Sequence, residues 1–184
     1  MRYDRDDDMI ITGKRHDFRI EYAVGFEADG RLTALDFTHY ARCGWAMDLS
    51  LPVADRAMLH ADNAYHLTDV RITSHRLKTN TQSATAYRGF GGPQGIVGIE
   101  RVMDHVAKHL VLDPLDVRRA NFYRDSLNAD APDLQTTPYQ QNIKDCIINA
   151  LTERLSESAN DKSRRAEIAE WNAQQPILKR GIAL

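Results

Sequence analysis

The sequence predicts an α+β fold: a mixed β-sheet region with a hairpin and a short helix, followed by a helical C-terminal third. Three observations carry that reading. Apolar residues alternate without a break from Phe18 to Phe26. A glycine-rich stretch, Tyr87 to Gly95, opens directly into an amphipathic run. Beyond residue 113 the apolar spacings are mostly three and four, the helical period.

Phe18, Ile20, Tyr22, Val24 and Phe26 have period two, which marks a strand with one buried face. Ala28-Asp29-Gly30 follows, and Asp-Gly is a hairpin turn signal. The return strand spans Arg31 to Ala41, with Leu35, Phe37 and His39 on one face. Ser50-Leu51-Pro52 offers a cap and a first-turn proline for a short helix through Ala54, Ala57, Met58 and Ala61. Asp69 to Leu77 alternates again as a strand.

After Pro93, the residues Ile96, Ile99, Val102, Met103, Val106 and Leu110 form one apolar helix face. Asp113-Pro114 starts a short helix through Leu115, Val117 and Ala120. A loop is expected from Asn128 to Tyr139, then helices on Ile143 to Leu155 and on Ala166 to Trp171. Lys179 to Leu184 reads as the start of a strand.

The chain has 184 residues and a formal net charge of -2, which gives no electrostatic reason to bind nucleic acid or anionic membrane. No apolar run approaches the roughly 20 residues of a membrane helix, so a cytoplasmic protein is expected. The two cysteines, Cys43 and Cys146, make no Cys-x-x-Cys pair and read as free thiols rather than as cluster ligands. His105 and His109 lie one turn apart, but no catalytic acid sits between them, and a solvated helix face is the expected reading.

Four glycines in nine residues, 87–95, need a physical cause. Glycine accepts positive φ and close approach of other groups. The helix that follows offers unpaired amides to an anion. Gly89, Gly91 and Gly95 miss the dinucleotide spacing by one residue, no conventional parallel βαβ unit is evident, and no Gly-Lys-Ser/Thr follows. A tight strand-to-helix turn is the plain structural alternative.

Thr85-Ala86-Tyr87-Arg88-Gly89-Phe90-Gly91-Gly92-Pro93-Gln94-Gly95 resembles the signature loop of the molybdenum hydroxylases. Arg5 to Met9, Ile11 to His16, and Lys179-Arg180-Gly181 resemble the same family. Ala54 to Tyr65, with Arg56, resembles the xanthine dehydrogenase branch rather than the aldehyde oxidases. The resemblance implies an oxidoreductase in which a molybdopterin-held molybdenum centre oxidises hypoxanthine and xanthine to uric acid. It implies iron–sulfur clusters and FAD on other domains or subunits.

By the same resemblance, Arg56 is the catalytic residue and faces the purine's oxygen side, while Phe90 stacks on the ring. Arg88, Gly89 and Gly91 line the cofactor, with Arg88 near the molybdenum. Residues 1–125 would be part of a first molybdopterin-binding domain. Residues 126–184 would be a helical linker and the start of a second. The glutamate base and other family segments are not among these residues, so the isolated chain is expected to be inactive. Expected partners are the purine, the iron–sulfur/FAD domain or subunit and, through open strand edges, further copies of the chain. The alternatives are a non-catalytic binding or assembly module of the same fold and the aldehyde-oxidising branch of the family.

Overall fold

The computed structural model describes residues 1–126 and 135–183. They fall into two units, Met1–Asn121 with Thr136–Gln141, and Phe122–Gln135 with Asn142–Leu184.

In the first unit, α1 (Arg5–Ile11) precedes β1 (Lys14–Arg15), β2 (Phe18–Phe26) and β3 (Leu32–Gly44). The sequence reading did not include α1. Asp4 starts it by accepting a hydrogen bond from the Asp7 amide at 2.8 Å, and Asp6, Asp7 and Asp8 sit at its positive end. The predicted hairpin is present. β2 and β3 pair antiparallel, with Tyr22 opposite Phe37. Gly30 closes the turn at φ +85, a value its missing Cβ permits.

Next come α2 (Ser50–Met58), β4 (Val70–Lys78), β5 (Ala84–Thr85), α3 (Gly92–Leu110) and α4 (Pro114–Asn121). The sheet order is β2-β3-β4, and β4 runs parallel to β3. A parallel pair therefore does exist, with α2 in its crossover, although the sequence pattern did not reveal it. Two strands can each have period two whatever their mutual direction, so alternation alone does not report a parallel partner. β1 and β5 form a second parallel pair, Lys14 beside Ala84 and Arg15 beside Thr85.

One face of β3 makes the core. Leu35, Phe37, His39 and Ala41 are buried there, as are Ile99, Val102, Met103 and Val106 of α3. Ile20 and Phe37 lie within van der Waals reach of Gly98 on α3, which seats the helix on the sheet. His105 and His109 face aromatic rings of β2. Tyr22 hydrogen-bonds His105, and the rings of Phe26 and His109 meet edge-on at 5.6 Å. Asn121 locks α4 to the hairpin: its carbonyl accepts from the Leu32 amide at 2.8 Å and its amide donates to the Gly30 carbonyl at 2.9 Å.

The second unit holds α5 (Ile148–Ser158) and α6 (Asp161–Gln174). The expected helix from Ile143 starts five residues later. Asp145 is left-handed at φ +52, and the Cys146 carbonyl accepts from the Ser126 amide at 2.9 Å in an isolated bridge. The Asp125 carboxylate then caps α5 through the Asn149 and Ala150 amides at 2.9 and 3.0 Å. The loop expected over Asn128 to Tyr139 lies partly outside the described residues. Of the strand expected over Lys179 to Leu184, residues 179–183 form none and find no ladder partner among the described residues, while Leu184 lies outside them. The Lys179 ammonium donates instead to the Asn172 carbonyl of α6 and to that of Gln175, which caps it. Cys43 and Cys146 are both free thiols.

Candidate functional site

The glycine loop sits directly on α2. A Cβ at Gly91 would lie 2.0 Å from the Val53 carbonyl oxygen, and one at Gly95 would lie 2.1 Å from that of Ala57. Only glycine allows this approach. The small residues of α2 supply the matching half of the contact: Val53, Ala54 and Ala57 are all buried. The glycine spacing is thus explained first by loop-to-helix packing. The packing brings the backbone of 89–95 onto the α2 turn, residues 53–57, that carries Arg56.

Ser50 does not cap α2, contrary to the sequence reading. It is the first helical residue, and Leu49 holds the cap position without a side-chain bond. The Ser50 hydroxyl is buried and pairs instead with His16 Nε2 at 2.7 Å. A buried hydroxyl takes the strongest partner within reach, and here that is the imidazole.

Three predicted residues stand at the rim of the contact. Arg56 is exposed on α2. Its neighbour Asp55 is already paired with Arg76 from β4, so the Arg56 guanidinium has no partner among the described residues. Arg88 is exposed, and its side chain is equally free. The other arginines from Arg5 to Arg119 each have one. Arg42 pairs with Asp17, Arg71 with Asp36, and Arg118 with Glu100 and Asp104, while Arg15 donates to a carbonyl. Of the two free guanidinium groups, one is carried by α2 and the other by the loop that packs on it.

Phe90, next to Arg88 in the loop, is half-buried at φ +49. A bulky aromatic in the left-handed region is strained by about 1–3 kcal/mol. The turn enforces it: the Phe90 amide donates to the Tyr87 carbonyl at 2.8 Å, and the Gly92 amide to that of Gly89 at 2.9 Å. Such strain concentrates where a side chain must be presented.

The polar groups present suit an anionic, oxygen-rich cofactor. Arg88 and Gly89 are exposed, and Gly89 and Gly91 both adopt φ +93. Arg15 Nη1 is buried without a partner and lies 3.9 Å from where a Cβ on Gly89 would be. That leaves a donor for an acceptor the protein does not supply. Among the described residues no group of three His, Cys, Asp or Glu could hold a metal ion. The site offers cations and backbone, which fits a metal that brings its own organic ligand.

A groove of about 600 Å³ opens elsewhere, at the sheet end lined by Val24, Leu35, Asp36, Val70 and Arg71. It includes none of Arg56, Arg88 or Phe90. Its floor is sheet, and its one ion pair is internally satisfied. No helix among the described residues is long and apolar enough to cross a membrane.

Known proteins align with this picture. The model of the molybdopterin cofactor-binding domain matches residues 1–122. Xanthine dehydrogenase of Drosophila subobscura is 43% identical over 181 residues, 98% of this chain and 13% of that protein. Xanthine dehydrogenase 1 of Arabidopsis thaliana is 39% identical over the same share of each. The chain therefore spans about an eighth of the curated relatives it matches. Among solved structures, quinoline 2-oxidoreductase from Pseudomonas putida 86 superposes with a TM-score of 0.78 at 24% identity, covering 94% of this chain and 22% of the other. The aldehyde oxidoreductase of Desulfovibrio desulfuricans superposes with a TM-score of 0.78 at 22% identity, covering 93% and 18%. Those two likenesses bear on the fold. With the packed loop, the family match and the sequence relatives taken together, the chain belongs to the molybdopterin cofactor-binding domain family, as a segment related to xanthine dehydrogenases.

Proposed function

We propose that this chain is the purine-facing segment of a xanthine dehydrogenase-type enzyme that oxidises hypoxanthine and xanthine to uric acid. The observation that carries the reading is the packing of the loop that bears Arg88 and the strained Phe90 onto the helix that bears Arg56, both arginines being without a partner among the described residues. In this reading residues 1–125 are part of a first molybdopterin-binding domain, and 126–184 link to a second. Iron–sulfur and FAD domains or subunits, and further copies of the chain, are the proposed partners, and the cytoplasm is the proposed location.

Each residue has a physical task. The Phe90 ring gives the flat heterocycle an apolar face, and its fixed backbone limits how far that face can turn. The Arg56 guanidinium meets the oxygen side of the purine. Negative charge grows there as the ring carbon is attacked, and one fixed cation or donor in a dry site is worth about 2.7–4 kcal/mol. Its lack of a carboxylate partner matters, because a paired guanidinium would have to give up that partner first. Arg88, Gly89 and Gly91 line the cofactor. When bound, the molybdenum cofactor supplies the oxygen-transfer and two-electron chemistry that no side chain here can perform.

The isolated chain is proposed to be inactive, since it matches only 13% of the length of its Drosophila subobscura relative and offers no identified base within hydrogen-bond reach of a reacting group. The test is a chimera. This chain replaces the matching 181-residue stretch of the Drosophila subobscura xanthine dehydrogenase. Hypoxanthine turnover by the purified chimera is expected. A chimera that folds, loads its cofactor and still leaves hypoxanthine unchanged refutes the purine reading. A second reading, a docking surface without catalysis, draws on α5, where Leu151 and Leu155 are about half exposed. It predicts a chimera whose turnover ignores Arg56→Ala.

A further inference from the structure

We infer that the dipeptide Arg15–His16 is a positioning bracket that holds the Arg56 helix and the Arg88–Phe90 loop in fixed register. The inference rests on the reading of the α2–loop contact as the purine-facing site. It assigns the two residues no contact with substrate.

The geometry comes from one short strand. β1 contains only Lys14 and Arg15, and it is pinned beside β5 by the Arg15–Thr85 pairing. Gly13 makes the approach possible, since a Cβ there would lie 2.7 Å from Thr85. From this strand Arg15 reaches the loop twice. Nη2 donates to the Arg88 carbonyl at 2.6 Å, and the guanidinium carbon lies 4.4 Å from the centre of the Tyr87 ring. A planar guanidinium can stack on the ring and donate in its own plane together, an arrangement an ammonium does not reproduce.

His16 reaches the two neighbouring elements. Its Nε2 pairs with the Ser50 hydroxyl at the first turn of α2, and its carbonyl accepts from the Gln94 side chain at 3.0 Å, at the start of α3. The imidazole is buried, and burial lowers its pKa below the ordinary histidine value. The hydroxyl can donate or accept, so the Nε2 bond to Ser50 forms in either tautomer of the ring. Two adjacent residues thus hold α2, the loop and the α3 entry. The Gly91–Val53 contact prevents the loop from moving closer to α2; the bracket prevents it from moving away.

The positions differ in what a substitution removes. Arg15→Ala deletes the grip on the Arg88 carbonyl and the Tyr87 ring. Arg15→Lys keeps a donor and a charge but loses the planar stack. Ser50→Ala deletes only the α2 arm.

Amide hydrogen exchange on the full chain tests this. In Arg15→Ala, exchange at the Phe90 and Gly92 amides is expected to rise about 10-fold or more, the scale of a lost charge-assisted bond. Arg15→Lys should fall between that variant and the unmodified chain. The amides of Val102 to Val106 in α3 should not change. Ser50→Ala should speed exchange at the Val53 amide and leave Phe90 alone. Unchanged exchange at Phe90 and Gly92 in Arg15→Ala overturns the bracket. Exchange raised equally throughout α3 also overturns it, because Arg15 would then be a general stability residue.

In the chimera, Arg15→Ala should lower kcat more than it raises KM, with partial recovery in Arg15→Lys. Equal loss in both variants counts against the bracket. If exchange responds as stated but the unsubstituted chimera does not oxidise hypoxanthine, the bracket stands and the purine reading falls.

Discussion

The interior between the sheet and α3 and the rim where α2 meets the glycine loop lie in the same unit, yet they are built on opposite terms. The interior is filled with apolar side chains at or near zero exposure, Phe37, Ile99, Val102 and Met103 among them. Polar groups that enter it are mostly bound, as Asn121 is to Leu32 and Gly30. The rim keeps two guanidinium groups without partners and holds an aromatic residue at φ +49. Exposed guanidinium groups lose little by staying unpaired, and a left-handed residue also ends α3 at Val111. What sets the rim apart is that free cations and a strained aromatic occur on one loop–helix contact.

The largest expected effect breaks the comparison at the rim. Arg56→Ala in the chimera should lower kcat/KM for hypoxanthine about 100- to 1000-fold, the usual loss for one transition-state donor. Arg71→Ala, which removes an arginine already paired with Asp36 on the sheet, should leave turnover unchanged. If both variants lose activity alike, the unpaired state of Arg56 has no special meaning.

Next is Gly91→Ala. The new Cβ would meet the Val53 carbonyl at 2.0 Å and force a side chain into φ +93. The combined cost is about 3 kcal/mol or more. Urea unfolding should show the loss, and a change under about 1 kcal/mol would mean that the loop does not rest on α2.

The interior has one exception that sharpens the contrast. His39 is fully buried between Phe18 and Phe37, and neither ring nitrogen has a partner. Burial lowers its pKa to about 4 from 6.5. The unfolded chain therefore binds a proton between those values that the folded chain refuses. Stability is fully present above pH 6.5 and is lost as the pH falls toward 4, by about 3 kcal/mol at about 1.4 kcal/mol per pKa unit. His39→Leu should flatten that part of the curve. An unaltered slope between pH 6.5 and 4 would show that the charge goes elsewhere.

Much of this was legible in the residues. The hairpin from Phe18 announced itself because nine alternating positions leave little choice of face. α3 did so through a long apolar stripe. Arg88 and Phe90 stood out by their place in the glycine loop, but Arg56 could be named only through the family resemblance, since a lone arginine on a short helix carries no signal of its own. Sequence pattern did not show the parallel β3–β4 pairing, which depends on a partner about 35 residues away. It also missed the partner of Ser50. A serine before a helical run reads as a cap until a buried histidine, 34 positions earlier, is found beside it. Arg15 and His16 had no period to betray them, because a two-residue strand has none. The late start of α5 followed from the left-handed Asp145, which apolar spacing does not report.

If Arg56 and Phe90 serve one cavity, a crystal structure of the hypoxanthine-bound chimera will show it. The purine ring is expected parallel to Phe90, with its oxygen edge within hydrogen-bond distance of the Arg56 guanidinium. Side chains that diverge, or a purine seated away from both, would contradict it.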